Sequence, residues 1–418
     1  MSEQRVSAPA PTGPHRVVIT GMGTIACIGQ NAVVCWESMR EGHSGIAPIA
    51  GIDDPGLRER IAGEVRGFDA GAHFDSRRLM LLDRVSQFAV VAAREAATQA
   101  GLQWSADERL SARTAVVIGT GTGGESSRDE QMQRLYGGTS PRVHPLTIPR
   151  VMASAPASQV GMTFGITGPT FGVTSACASA NHAIAQAFQM VRSGMVDAAL
   201  AGGTEACLTF GTVKAWEAMR VMADDACRPF CRQRRGMVLA EGAGVFVLES
   251  YDAAKRRGAE VLAEIAGCGM SADAGDMVFP SEIGAARAVT CALADAGLNA
   301  ADIDYINAHG TGTQANDLTE TRAIRRALGP AAATVSISST KSVHGHALGA
   351  AGGIELIAAI QALRFGIIPP TANFLDADPE CDLDYTPNTA RERPVRAALS
   401  NSFAFGGLNA VLALRQAS

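Results

Sequence analysis

The 418-residue sequence predicts an α/β protein, and two observations carry the prediction. Short apolar runs bounded by glycine and containing β-branched residues recur along the chain, as buried strands do. Segments with the spacing of amphipathic helices lie between several of these runs. This alternation is typical of mainly buried sheets covered by helices. The predicted strands lie at 17–20, 114–118, 171–174, 198–201, 244–248, 261–265, 303–307, 335–338, 397–400 and 410–414.

The clearest helix follows the predicted strand at 171–174, because its apolar residues share one face at helical spacing. These residues are Ala180, Ala183, Ile184, Ala187, Phe188 and Val191. The most charged connection between two predicted strands lies at 250–260, and we place the division between two halves there. The expected organisation is a disordered lead-in over residues 1–14, an N-terminal half over 15–258 and a C-terminal half over 259–418.

The composition excludes several classes of protein. Hydrophobic residues make up 47% and charged residues 18%, which is the profile of a globular chain. A net charge of −5 provides no global basic field for a nucleic acid or an anionic membrane. The nine cysteines are scattered and odd in number, as is usual in a reducing compartment. With no signal peptide and no long uncharged apolar run, we expect a cytoplasmic protein that lacks a membrane span and a nucleic-acid partner.

Cys177 is the first candidate catalytic residue. It lies in the run SACAS between a predicted strand and a predicted helix, and therefore at or just before a helix N-terminus. The helix dipole and free N–H groups stabilise a thiolate there, so we expect a lowered thiol pKa. The same N–H groups can bind an oxyanion on an acyl carbon attached to the sulfur. For an isolated cysteine, a small buried side chain filling a tight turn is the simpler alternative.

Two further candidate residues lie where predicted strands end. His309 follows the strand at 303–307, and His346 follows the strand at 335–338, in a segment that also contains Lys341 and opens a Gly/Ala-rich helix. The carboxyl ends of strands are where α/β folds place reactive groups. A histidine beside a helix N-terminus is biased towards the neutral imidazole, which can donate a hydrogen bond to an enolate oxygen.

Two alternatives use the same residue types. A papain-like hydrolase would fit the 132 residues between Cys177 and His309 (309 − 177), but the local signature of such a cysteine is absent. A metal centre is not expected, because two candidate ligand pairs lack further ligands at suitable spacing. These pairs are His344 with His346 and Cys227 with Cys231. A cysteine, two histidines and a lysine instead fit chemistry at a carbonyl that needs one nucleophile and two donors.

Four motifs, in this order along the chain, resemble those of the type II β-ketoacyl-acyl-carrier-protein synthases: TSACASANHAI, NAHGTGTQAND, STKSVHGHALGAAG and SNSFAFGGLNA. The resemblance covers nearly the whole chain, from Arg16 to Leu414. It implies the thiolase-like fold, in which two related α/β halves form a layered α-β-α-β-α architecture. Within the family, segments such as KAWEAMRV and PPTANF are most similar to the nodulation-type enzymes, which make acyl chains for rhizobial lipo-chitooligosaccharide signals.

The resemblance implies an acyltransferase that condenses an acyl chain with a malonyl group by decarboxylation, both being carried on acyl carrier protein. Cys177 would accept the acyl chain, and His309 and His346 would assist decarboxylation and stabilise the enolate. Lys341 would orient or tune the two histidines. The family has no cofactor, takes its substrates from acyl carrier protein and works as a homodimer.

Further roles carry over from the family by position. Acidic residues supporting the site are Asp317, Glu320 and Glu355. Residues that bind the phosphopantetheine arm or the substrate are Thr311, Thr313, Thr122 and Phe403. Phe405 matches the gating aromatic residue, and its N–H joins that of Cys177 in the oxyanion hole. For docking of the acidic carrier protein, the basic candidates are Arg77 and Arg78.

The sequence departs from the family pattern at four positions. His344 stands where threonine is common, Ala404 replaces a glycine of the gate loop and Leu408 replaces a threonine. Thr122 stands where many relatives carry a larger apolar residue that limits acyl length, so we expect longer or unsaturated chains to fit.

Two other assignments share the predicted fold. A thiolase acting on coenzyme A thioesters would carry a second reactive cysteine late in the chain, where SNSFAFGGLN has none. A non-catalytic partner subunit of the chain-length-factor kind would lack the nucleophile, whereas Cys177 and both histidines are present.

Overall fold

A computed structural model describes residues 13–52, 56–58, 61–139 and 141–417 of the chain. Most of the predicted lead-in, residues 1–12, lies outside the described residues. The strands are β1 (Val17–Ala26), β2 (Ala47–Pro48), β3 (Ile61–Ala62), β4 (Thr114–Gly119), β5 (Thr170–Val173), β6 (Ala198–Glu205), β7 (Gly242–Ser250), β8 (Ala263–Ala272), β9 (Tyr305–Asn307), β10 (Ser336–Ser338), β11 (Ile367–Ile368), β12 (Arg391–Glu392), β13 (Ala397–Ala404) and β14 (Leu408–Arg415).

The helices alternate with the longer strands, as the sequence predicts. They are α1 (Ala32–Glu41), α2 (Ala70–His73), α3 (Ser76–Leu79), α4 (Arg84–Ala100), α5 (Glu108–Ala112), α6 (Glu125–Tyr136), α7 (Thr147–Val151), α8 (Ala155–Phe164), α9 (Ser179–Arg192), α10 (Phe210–Met219), α11 (Tyr251–Arg256), α12 (Glu282–Ala296), α13 (Gln314–Leu328), α14 (Lys341–His344) and α15 (Ala351–Phe365).

The ten predicted strands form one continuous sheet, in the order β10-β9-β13-β14-β8-β1-β7-β6-β4-β5. The antiparallel pairing of β1 with β8 joins two five-stranded halves. Numbered within its own half, each set of strands has the same spatial order, 3-2-4-5-1. The second strand pairs in parallel with the third and fourth, and the fifth pairs antiparallel with the fourth and first, in both halves. The two halves are therefore copies of one topology.

Helices complete the layers on both sides of each half-sheet. The two central helices, α9 and α15, contact each other and strands of both halves, including β7 and β14. Helices α4 and α8 cover the outer face of the N-terminal half, and α12 with α13 covers that of the C-terminal half. The layered α-β-α-β-α architecture expected from the resemblance is confirmed. The predicted boundary at 258/259 falls between α11 and β8 and stays a prediction.

The central helix α15 is buried on every side from Ala351 to Leu363. Its close packing requires glycine, because a Cβ on Gly353 would lie 2.7 Å from the backbone oxygen of Gly244 on β7. Residues Leu348–Phe365 are long and apolar enough to cross a membrane, but 89% of this stretch is buried inside the protein. That burial is what a core helix shows.

This topology fixes where the functional segments meet. The third strand of each half, β5 or β10, leads into the segment that precedes a central helix. Cys177 lies just before α9, and His346 lies just before the 3₁₀ turn Leu348–Ala350 that opens α15. Since both central helices lie between the same half-sheets, the two segments are brought to one side of the molecule.

Candidate active site

Cys177 lies in a strained turn between β5 and α9. The preceding residue, Ala176, has φ +48°, in the left-handed region that residues other than glycine rarely adopt. The Ser179 side chain holds the turn, because its Oγ accepts the Ser175 N–H at 2.9 Å and donates to the Ala176 oxygen at 2.6 Å. Strain of this kind persists only where the surrounding structure enforces it, and it concentrates at functional sites.

The Cys177 side chain is only 7% exposed, and burial raises the pKa of its thiol to about 12. The positive charge of Lys341 and the backbone N–H groups of Cys177 and Phe405 act in the opposite direction. The expected lowering of the thiol pKa is therefore wrong in direction, because desolvation outweighs the helix end. The two N–H groups that face the sulfur are those expected to form an oxyanion hole.

His309 lies directly beyond β9, in a loop held by Glu320. The Glu320 carboxylate accepts the N–H groups of His309 at 2.9 Å and Gly310 at 2.7 Å. It also accepts the Asn401 side-chain amide at 3.2 Å. Burial raises the pKa of Glu320 to about 7. This carboxylate therefore acts on the backbone that carries His309 rather than on the imidazole.

Asp317 supports the next part of the same loop. Its carboxylate accepts the Gly312 N–H at 3.2 Å and the Phe230 N–H at 2.7 Å. The Arg234 guanidinium lies 3.9 Å from it, and both side chains are buried. Burial raises the pKa of Asp317. The two predicted acidic residues, Asp317 and Glu320, thus fix the loop between His309 and α13.

Lys341 and Glu355 form a fully buried ion pair beneath His309. The Lys341 Nζ also donates to the His309 backbone oxygen at 2.6 Å and lies 3.4 Å from His309 Nδ1. An ammonium group has no acceptor, so in this contact Nδ1 accepts and the imidazole proton is on Nε2. Lys341 thereby fixes the tautomer that can donate a hydrogen bond from Nε2.

The His346 ring lies against the His309 ring, with centroids 5.3 Å apart and an interplanar angle of 82°. Burial first, and then the positive charge of Lys341, hold the pKa of both imidazoles well below the usual value. Both rings are neutral at neutral pH, as the sequence predicts for a histidine in this position. His344 instead contacts Thr340 at 3.0 Å, and burial lowers its pKa to about 3.

A cavity of about 340 Å³ connects these groups with the surface. Seven of the predicted site residues line it: Cys177, His309, Thr311, Thr313, His346, Phe403 and Phe405. The Thr311 and Thr313 hydroxyls are 2.9 Å apart. The part of the chain that the structure describes contains no group of three His, Cys, Asp or Glu side chains placed to hold a metal.

Several lining residues were missed by the sequence analysis. Trp216 stacks on Phe405 with ring centroids 5.7 Å apart, and the exposed Arg220 and Arg235 also line the cavity. Trp216 and Arg220 fall inside KAWEAMRV, which the resemblance includes, but their spacing alone indicates no role. Phe279, from the loop after β8, completes the apolar rim and is 69% exposed.

Besides the four supporting residues Lys341, Asp317, Glu320 and Glu355, three other predicted site residues do not line this cavity: Thr122, Arg77 and Arg78. Thr122 donates its hydroxyl to Glu205 at 2.7 Å. Arg78 donates to the Thr163 hydroxyl at 3.1 Å, and Arg77 is exposed beside it on α3. The roles of Thr122 in acyl length and of Arg77 and Arg78 in carrier docking stay predictions.

Two family models match the chain. One, described as "Beta-ketoacyl synthase, N-terminal domain", covers residues 15–254, and the other, "Beta-ketoacyl synthase, C-terminal domain", covers residues 262–375. The chain belongs to the β-ketoacyl synthase family, as its motifs predict, and it is an acyltransferase enzyme.

Individual members of this family are similar to the chain over nearly its whole length. The chain is 53% identical over 402 residues to Nodulation protein E of a Rhizobium species, covering 96% of this chain and 99% of that protein. It is 40% identical over 408 residues to 3-oxoacyl-[acyl-carrier-protein] synthase 2 of Staphylococcus aureus, covering 96% and 98%. A solved structure, described as a "type II PKS acyl-carrier protein in complex with its ketosynthase bound to the hexaketide", is similar with a TM-score of 0.88 at 32% identity, covering 97% of this chain and all of that chain.

Proposed function

We propose that Cys177 is the nucleophile that accepts an acyl chain from a carrier-protein thioester. The sulfur attacks the acyl carbon, a new C–S bond forms, and the carrier thiol leaves with a proton. Because burial keeps Cys177 as a thiol at neutral pH, its proton leaves as the sulfur attacks. The observation that carries this proposal is the single cavity that Cys177, His309, His346 and Phe405 all line.

We propose that His309 and His346 act in the second step. Malonyl thioester loses CO2, and the resulting enolate carbon attacks the acyl carbon on Cys177. A C–C bond forms, the C–S bond breaks, and the departing Cys177 thiolate takes a proton from solvent water. Neutral imidazole N–H groups can stabilise the enolate oxygen without a charged base, and the Nε2 proton that Lys341 maintains on His309 suits this role. The N–H groups of Cys177 and Phe405 stabilise the oxyanion at the acyl carbon.

The residues at the mouth of the cavity support the proposal that the substrate is carried on acyl carrier protein. The Thr311 and Thr313 hydroxyls lie where a phosphopantetheine arm would pass, and Arg220 and Arg235 provide positive charge for an acidic carrier protein. Arg77 and Arg78 are the second candidate patch. The chain is a β-ketoacyl-acyl-carrier-protein synthase of fatty acid or nodulation-factor acyl-chain synthesis.

We also propose a homodimer formed through β5, a terminal strand of the ten-stranded sheet. Phe171 on β5 is 38% exposed, and Ile148 and Met162 on the neighbouring helices are 68% and 61% exposed. A second copy would pair with the free strand edge and cover these side chains.

We further propose that the protein is cytoplasmic. The nine cysteines are free thiols, which supports a reducing cytoplasmic location.

Intact mass spectrometry tests the proposed mechanism. Wild type and Cys177→Ala are incubated with acyl-carrier proteins of different chain length, with and without malonyl-carrier protein. We expect an acyl adduct on the wild type that malonyl-carrier protein converts into a 3-oxoacyl product two carbons longer, and no adduct on the variant. Adduct formation on Cys177→Ala would contradict the assignment, and so would transfer of the acyl group to water in place of malonyl.

A further inference from the structure

The end of β6 carries a fully buried carboxylate, Glu205, which neither the motifs nor the proposed mechanism uses. One oxygen, Oε2, accepts the N–H groups of Gly121 at 2.7 Å and Gly349 at 2.9 Å. The other, Oε1, accepts the hydroxyls of Thr120 at 3.0 Å and Thr122 at 2.7 Å, and the Thr122 N–H at 3.2 Å. Five hydrogen-bond donors from two segments satisfy the Glu205 carboxylate, so this carboxylate links the two segments rather than being an isolated buried charge.

The two segments belong to different halves of the molecule. Residues 120–122 follow β4 in the N-terminal half, whereas Gly349 lies in the C-terminal half, three residues after His346. They approach so closely that a Cβ on Gly349 would lie 2.3 Å from the Gly121 nitrogen and 2.8 Å from Glu205 Oε2. Glycine at these positions therefore leaves room for the carboxylate to bind both segments.

The loop after β4, which Glu205 binds, also contacts the turn that carries Cys177. The Ser179 hydroxyl, which holds that turn, lies 3.3 Å from the Thr120 oxygen, and a Cβ on Gly119 would lie 2.3 Å from the Ser179 oxygen. The loop that Glu205 binds is therefore packed directly against the start of α9.

Backbone strain on both sides shows that something must hold these segments. Ala176, before Cys177, has φ +48°, and Leu348, between His346 and Gly349, has φ +43°. Non-glycine residues in this region cost about 1 to 3 kcal/mol each and persist only where surrounding contacts enforce them. Gly349, whose N–H Glu205 accepts, follows Leu348 directly, whereas Ala176 is reached through the Ser179 hydroxyl, which contacts both the Thr120 and the Ala176 oxygens.

We propose that Glu205 is a positioning residue that sets the distance between Cys177 and His346 by binding the loop after β4 and the segment before α15. The inference rests on the proposed roles of Cys177 and His346. Glu205 also accepts the N–H and hydroxyl of Thr122, so the same carboxylate controls how the Thr122 side chain is oriented. Acyl transfer to Cys177 uses the nucleophile and its own turn, but condensation also needs His346 at the correct distance. Condensation should therefore be the more sensitive step.

Three variants test this proposal: Glu205→Ala, Glu205→Gln and the matched control Glu95→Gln. Glu95 is a partly buried carboxylate that accepts two backbone N–H groups, those of Thr24 and Ala32, away from the cavity. Self-acylation of Cys177, single-turnover condensation, product length and thermal unfolding are measured for each. We expect Glu205→Ala to lower condensation about 100-fold, the size of effect that a misplacement of about 1 Å produces.

Glutamine can keep its oxygen on the Gly121 and Gly349 N–H groups but leaves the Thr122 N–H without an acceptor. We expect about a tenfold loss of condensation in Glu205→Gln, a smaller loss of acylation and a shifted product length. If Glu205→Ala does not fold, the glutamine variant decides the question by the same measurements.

Equal losses in acylation and condensation, or wild-type condensation in Glu205→Gln, would overturn the proposal. So would an equal effect in Glu95→Gln. A wild-type enzyme that is never acylated on Cys177 would instead contradict the proposed function.

Discussion

The two halves of the molecule share one topology but contribute different side chains to one cavity. In each half the third strand leads to a central helix, and a non-glycine residue with positive φ lies just before that helix: Ala176 in one, Leu348 in the other. The fourth strands, β6 and β13, each have eight residues. One ends at the buried Glu205, the other at Ala404, next to Phe405 in the cavity lining. One structural unit used twice therefore places the proposed nucleophile, Cys177, on one copy and the proposed hydrogen-bond donors, His309 and His346, on the other.

Burial acts on the two sets of reagents in opposite directions. It raises the pKa of Cys177 to about 12 and holds the pKa of His309 and His346 well below the usual value. Both effects have one physical cause, because a dry site disfavours the charged form of every group. The result is a site in which Cys177, His309 and His346 are neutral, beside the buried Lys341–Glu355 ion pair.

The largest expected effect comes from breaking that pair in the C-terminal half. Lys341→Met leaves Glu355 buried without its partner, which should cost about 3 to 5 kcal/mol in the free energy of unfolding. Urea denaturation measures this loss. Condensation should also fall, because His309 loses the contact that fixes its tautomer.

The double variant Lys341→Met/Glu355→Leu separates the two effects. Removing both charges should restore most of the stability, because a buried ion pair is often replaceable by apolar side chains of similar volume. Acylation of Cys177 should then persist, since the nucleophile belongs to the N-terminal half, while condensation stays low. A double variant that condenses at the wild-type rate would show that the pair serves stability alone.

All ten strands of the main sheet could be predicted from the sequence, because each contains a short apolar run. The expectation that every such run is buried is wrong for β5, whose residues are exposed or half-buried because it is a terminal strand of the sheet. The lengths of the strands could not be predicted. The strand predicted at 17–20 in fact extends to Ala26. The prediction ended too early because Gly21 and Gly23 interrupt the apolar pattern. Those glycines are required by packing: a Cβ on either would lie 2.1 Å from a backbone oxygen of α4. Local pattern thus identified the strand, and tertiary contact determined its extent.

In the candidate active site, too, sequence motifs indicate some residues, whereas tertiary contacts determine the rest. Cys177, His309, His346 and Lys341 lie in motifs, so the sequence indicated them. The direction of the Cys177 pKa could not be predicted, because it depends on how deeply the turn is buried. Glu205 was missed because its partners, Gly121 and Gly349, are separated from it in sequence by 84 and 144 residues. No periodicity or spacing encodes such a contact.

A pH titration of stability should separate the two halves. The imidazoles have depressed pKa values in the folded state, so their stabilisation is present above about pH 6.5 and is lost as pH falls below it. The Cys177 thiol has a raised pKa, so its stabilisation is present below about pH 8.5 and is lost as pH rises towards 12.

Single variants show which residue causes the loss of stability at low pH and which causes the loss at high pH. Relative to wild type, His309→Asn should lose less stability below about pH 6.5, and Cys177→Ala less above about pH 8.5, by up to about 1.4 kcal/mol per pH unit. Buried carboxylates such as Glu320 act in the opposite sense to the histidines, but they are unchanged in these variants and cancel in the comparison. Parallel profiles for wild type and both variants would contradict the assignment.

The smallest expected effect concerns two basic patches of the N-terminal half. Arg220 and Arg235 line the cavity that contains Cys177, whereas Arg77 and Arg78 lie on α3, away from its lining. Exposed charges act on encounter with an acidic partner more than on chemistry, and salt screens them.

We expect Arg220→Glu/Arg235→Glu to raise the KM for acyl-carrier protein about tenfold with kcat nearly unchanged, and the difference from wild type to shrink in high salt. A short acyl thioester of pantetheine, which has no protein surface to dock, serves as the control substrate and should show no change. Arg77→Glu/Arg78→Glu is the matched variant, because it reverses the same number of charges on the same half. A larger KM effect from Arg77→Glu/Arg78→Glu would move the docking surface to α3, where the carrier would have to span from that helix to the cavity mouth.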